Sequence, residues 1–100
     1  MNKLEKARKE INLIDEEMIE LFRKRMEVLE DVVAYKVANN MKVLDAAREK
    51  EIIDRNIAIL DDKNLEEYYR IVFNSILTAS KLYQEALMKS VEKKKWKNMH

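Results

Sequence analysis

The chain has 100 residues, with 20 Lys+Arg against 19 Asp+Glu, 47% hydrophobic and 39% charged content, and no Gly, Pro or Cys. That length allows one domain, the apolar content is too high for disorder, and a formal net charge of +1 gives no general support for nucleic-acid binding. Disulfides, thiolate metal sites and cysteine nucleophiles are excluded, and no apolar run approaches the roughly 20 residues of a membrane span.

Without glycine or proline, tight hairpins and parallel-strand crossovers lack their usual turn chemistry, so the fold class is all-α. The first helix runs from about Lys3 to Ala38. Leu4, Ala7, Ile11, Ile14, Met18 and Leu21 recur at alternating intervals of three and four, and Val28, Val32 and Tyr35 continue the row. Asn39-Asn40 is the stop signal, because asparagine tolerates the left-handed conformation. Residues 41–44 form a linker, and Asp45 is the N-cap of a second helix whose inner face is Ile52, Ile53, Asn56, Ile57 and Leu60. Residues 61–64 make the next loop. A third helix then buries Leu65, Tyr69, Val72, Phe73, Ile76, Leu77, Tyr83 and Leu87. Its end, Lys93-Lys94-Lys95-Trp96-Lys97, reads as a solvated helix terminus, where cations suit the dipole.

The first helix is too long for its own domain. Roughly 35 residues at 1.5 Å each span about 50 Å, whereas a compact 100-residue domain has a radius of gyration near ~13 Å. A second copy of the chain, with the long helices paired in a symmetric dimer, is the simplest cover for the excess. The charged, amphipathic N-terminus has no signal-peptide core, so the chain is expected in the cytoplasm.

Arg25 interrupts the first helix's apolar row. A guanidinium stays charged at neutral pH and is costly to bury unpaired, so it needs a carboxylate from the protein or from a ligand. Lys36 lies eleven residues on, about three turns and roughly 16 Å along the same face. Arg48 falls in the first turn of the second helix between Asp45 and Glu49, and Ser80 and Gln84 interrupt the third helix's apolar face four residues apart. Each has an ordinary structural reading: an interface ion pair for Arg25, a snorkelling end for Lys36, a local ion pair with Asp45 or Glu49 for Arg48, and interhelical hydrogen bonds for Ser80 and Gln84. Together they describe a pocket of fixed cations, neutral donors and one or two acids. With no Cys, and the one His at the very end of the chain, such a pocket binds a polyanion and stabilises charge in place.

The run Ala7-Arg8-Lys9-Glu10-Ile11 with Ile14-Asp15 resembles the opening of the all-helical chorismate mutases. So do Leu21-Phe22-Arg23-Lys24-Arg25 followed by Lys36, the stretch Val43-Leu44-Asp45-Ala46-Ala47-Arg48-Glu49, and Ser80 with Gln84. The resemblance covers about residues 4–88 and leaves a basic tail, 89–100, outside it. It implies an intertwined helical-bundle homodimer, three helices per chain, with two equivalent sites. It also implies rearrangement of chorismate to prephenate for phenylalanine and tyrosine synthesis, without metal or cofactor. By position, Arg8 from the partner and Arg25 would bind the substrate carboxylates, with Arg48 and Ser80 assisting. Lys36 and Gln84 would aim donors at the ether oxygen, Glu49 would accept from the ring hydroxyl, and Asp45 would shape that end. Arg8 is 17 residues, about 25 Å, from Arg25 on one helix, so it can share a small pocket only by coming from an antiparallel neighbour. One hundred residues leave no room for a fused catalytic or regulatory domain, which points to a stand-alone mutase. The alternatives are an isochorismate-pyruvate lyase-like enzyme, from a related helical family, and a catalytically silent dimerisation module.

Overall fold

A computed structural model describes residues 1–100 as three helices and no strands: α1 (Lys3–Ala38), α2 (Ala46–Leu60) and α3 (Glu66–Met99). The boundaries follow from local chemistry. The Asn2 side chain caps α1 by accepting from the Glu5 N–H at 2.8 Å. At the other end Asn39 is the C-cap, its side-chain amide donating to the Tyr35 carbonyl, and Asn40 turns the chain at φ 54°. Asp45 caps α2 as expected, its carboxylate accepting from the Arg48 N–H at 3.0 Å. Asp61 ends α2 in the left-handed region at φ 46°, and Asp62 then accepts from the Asn64 N–H at 2.9 Å to close the loop. The third helix continues through the basic tail to Met99, well past the end of the family resemblance, with residues 92–100 exposed.

Side-chain pairs fix the directions. Arg25 meets Ser80 and Lys36 meets Gln84, so α1 and α3 run the same way. Glu49 meets Lys81 and Asn56 meets Tyr69, so α2 returns antiparallel to α3. The α3 backbone packs against both neighbours, whereas those of α1 and α2 make no close approach. Leu29 and Val33 of α1, Ile57 of α2, and Phe73 and Leu77 of α3 form the buried apolar core. Asn56 interrupts the α2 face because its amide donates to the Tyr69 hydroxyl at 3.0 Å.

On α1, Val28 and Tyr35 of the long apolar row are 58% and 64% exposed, and the stripe covered within the chain is Met26, Leu29 and Val33, one position further round. One burial expectation is corrected: on α3, Leu65 and Val72 are exposed. Leu65 precedes the first turn, and Val72 is turned about 100° from Phe73, off the arc Phe73–Leu77–Ser80–Gln84 that faces α1 and α2.

The shape bears out the length argument. The radius of gyration is 18.1 Å and the extents are 64 × 30 × 16 Å. Leu4, Ile11, Ile14, Met18 and Leu21 are all more than half exposed, so α1 projects an uncovered apolar face beyond its own bundle. No helix is long and apolar enough to cross a membrane.

Candidate active site

Because the α1 and α2 backbones flank α3 without a close approach to each other, a cleft of about 480 Å³ opens between them, floored by α3 and closed at one end by the linker at Val43. That volume suits a small organic molecule. Arg25, Lys36, Asp45, Arg48, Glu49, Ser80 and Gln84 all line it. Arg8 does not. It is exposed on the projecting part of α1, about 25 Å along the helix from Arg25.

Arg25 is half-buried, and the expected carboxylate partner is missing: no acid lies within 4.0 Å of it in this chain. Its guanidinium instead donates to the Ser80 hydroxyl and lies 5.8 Å from the centroid of the Phe73 ring. Burial lowers the Arg25 pKa from its ordinary value, and Tyr69 acts in the opposite direction. Ser80, 4% exposed, accepts from Arg25 and donates to the Ile76 carbonyl at 2.8 Å, so its buried hydroxyl is satisfied on both sides.

Lys36 does not snorkel. Its ammonium is drawn inward, donating to the Val43 carbonyl at 2.9 Å and to Gln84 Oε1 at 3.0 Å. One lysine thus ties the end of α1 to the linker and to α3. The contact also orients Gln84, which is 7% exposed: with Oε1 on Lys36, the amide N–H₂ is left as the donor.

Arg48 pairs with Glu51 at 2.8 Å on the exposed side of α2, and not with Asp45 or Glu49 as expected. Asp45 is occupied by the Arg48 backbone N–H, and Glu49 by Lys81 of α3, at 3.3 Å. Lys81 and Lys24 both line the cleft and were not among the sequence-derived candidates. Lys81 was findable. It lies between Ser80 and Gln84 on the inward arc, yet a lysine on a helix with many reads as solvent-facing. Five cations and two carboxylates line the cleft, so its field favours a multiply charged anion.

The sequence profile of chorismate mutase type II matches residues 7–85. The chain belongs to that family. All eight candidate positions, Arg8 to Gln84, fall within the matched stretch. Among curated relatives of this chorismate mutase family member is a bifunctional chorismate mutase/prephenate dehydratase of Buchnera aphidicola subsp. Baizongia pistaciae, 33% identical over 98 residues, covering 96% of this chain and 26% of the relative. Proteins of the same name from the Schizaphis graminum and Acyrthosiphon pisum subspecies are 31% and 32% identical, covering 87% and 82% of this chain and 23% and 22% of theirs. The chain therefore spans about a quarter of the length of the curated relatives it matches. No solved structure matches it significantly.

Proposed function

We propose that the chain catalyses the rearrangement of chorismate to prephenate, working as a homodimer in which each cleft is completed by Arg8 of the other chain. The observation that carries this reading is the pair of cations in the cleft, Arg25 and Lys36, both half-buried and both without a carboxylate partner in their own chain. Unneutralised cations held by a hydroxyl, a backbone carbonyl and an amide are preorganised for an anionic ligand. The family match and the mutase activity named in the relatives supply the substrate: a dicarboxylate whose two charges suit such a site.

The reaction forms one carbon–carbon bond as an ether carbon–oxygen bond breaks, within one molecule and without proton transfer. The protein has two tasks: to fold the enolpyruvyl arm over the ring, and to stabilise negative charge growing on the ether oxygen. Arg25 and the partner's Arg8 would clamp the two carboxylates, with Ser80 and Arg48 supporting them. The Lys36 ammonium and the free amide N–H₂ of Gln84 are adjacent donors, which supports their convergence on the ether oxygen. Glu49 would accept from the ring hydroxyl, with Asp45 beside it.

The exposed apolar face of α1 supports the dimer, since Leu4, Ile11, Ile14, Met18 and Leu21 have nothing to cover them in a single chain. An antiparallel α1 from a second copy would cover that row and also bring in the distant Arg8. The test is turnover of chorismate, with sedimentation of the active species. Prephenate from a dimer is the expected result. Salicylate and pyruvate from isochorismate would assign the lyase reaction instead, and no turnover of either compound would leave only a helical dimerisation module.

A further inference from the structure

Four ion pairs occur in the structure, and three join residues three or four apart on one helix with both side chains more than half exposed. The fourth differs. It links α2 to α3, with Lys81 Nζ at 3.3 Å and 3.4 Å from the two oxygens of Glu49, and the side chains are 34% and 24% exposed. Exposed pairs of the first kind contribute little, whereas a partly desolvated pair on a cleft wall shapes the local field. Both partners line the cleft.

A carboxylate in a site for a doubly charged anion is a liability unless something offsets it. We propose that Lys81 is a positioning residue for the reaction: it neutralises Glu49 and aims it into the cleft, so that Glu49 accepts a hydrogen bond from a substrate hydroxyl without repelling the substrate's charges. This rests on the mutase reading above. Two features argue against a simple staple between helices. The α2–α3 contact is already held by Ile57, Phe73 and the Asn56–Tyr69 hydrogen bond. In addition, the ammonium meets both carboxylate oxygens at nearly equal distance, so its charge offsets the group as a whole.

Repulsion between an uncompensated Glu49 and the bound dianion is present in the ground state and in the transition state alike, so its effect falls on substrate binding and not on the chemical step. Lys81→Met keeps the aliphatic reach and removes the charge. It should raise KM for chorismate about fivefold and change kcat by less than about twofold, the size of a partly screened pair. Lys81→Arg should restore KM to within about twofold of the parent, because a guanidinium meets a carboxylate equally well. In a Glu49→Gln background, Lys81→Met should change KM by less than about twofold, because the residue acts only through the carboxylate. An unchanged KM in Lys81→Met would overturn the inference, as would a fivefold effect that persists in the Glu49→Gln background. A loss of kcat that tracks a lowered melting temperature would mark a packing role and overturn it too. A parent with no chorismate turnover would remove the mutase reading and this inference together, whereas an active parent with an unaffected Lys81→Met variant removes this inference alone.

Discussion

Arg25→Met should make the ligand-free protein more stable while disabling it. The guanidinium is half-buried and has a hydroxyl and a phenyl ring for company, with no carboxylate within 4.0 Å. Replacing it gives up one charge-assisted hydrogen bond and the contact with Phe73, together about 2 kcal/mol. Ser80 is not orphaned, since its hydroxyl still donates to the Ile76 carbonyl. Against that stands relief of the desolvation of a charge, several kcal/mol for full burial and roughly half that here, and a sulfur–aromatic contact worth about 0.5 kcal/mol. The net is a gain of about 1 kcal/mol, or about 4–8 °C in Tm for a chain of this size. Thermal melts followed by circular dichroism, without ligand and at one fixed protein concentration, measure it. Turnover of chorismate should fall by at least about 100-fold, the usual loss when a preorganised charge is removed. A Tm below the parent's by more than about 2 °C would refute the reasoning. Arg25 would then be stabilising the empty fold, and its position would need no ligand to explain it.

Two further outcomes are expected. Gln84→Glu should make kcat/KM rise as pH falls: one carboxylate oxygen keeps the Lys36 contact at 3.0 Å while the other replaces the amide donor, so the ionised form repels charge on the ether oxygen and protonation restores a donor. A pH profile parallel to the parent's would remove Gln84 from that role. Refolding Arg8→Ala chains together with Arg25→Ala chains should restore about a quarter of wild-type activity, because half of randomly paired dimers are mixed and each mixed dimer holds one intact site of two. Mixed dimers that form without regaining activity would show that Arg8 and Arg25 do not meet across the interface.

How much of this was legible in the sequence depended on whether a feature was local. The Asp45 cap and the Asn39-Asn40 stop are short-range chemistry and were readable to the residue. Ser80 and Gln84 were legible as polar interruptions in an apolar arc, and both are buried. Asn56 was legible as an anomaly, but its partner Tyr69 was not, since periodicity records which face is inward and not what it meets. The covered stripe of α1 was not legible for a related reason. That helix carries two apolar stripes, Met26–Leu29–Val33 toward its own α3 and the longer row from Leu4 through Tyr35, most of it exposed, and spacing cannot tell which one its own chain covers. The acid that pairs with Arg48 was not legible, because Asp45 and Glu51 both stand three residues from it and spacing alone does not choose between them. Lys81 was legible as a position on the inward arc of α3, but its partner Glu49, 32 positions away, was not.

The order of the helices along the chain bears on how the protein is made. The contacts that assemble the cleft from α1, Arg25 to Ser80 and Lys36 to Gln84, span 55 and 48 residues, and α2, which is synthesised in between, packs on α3 and not on α1. At about 5–20 residues per second on the ribosome, α1 waits roughly 3–10 s after emerging before its first packing partner exists. During that interval its apolar rows have no packing partner within their own chain. Substitutions that strengthen α1 as a solitary helix, or that place charge on its exposed rim, should therefore raise the yield of soluble protein. Improvements confined to α2 come too late to protect it.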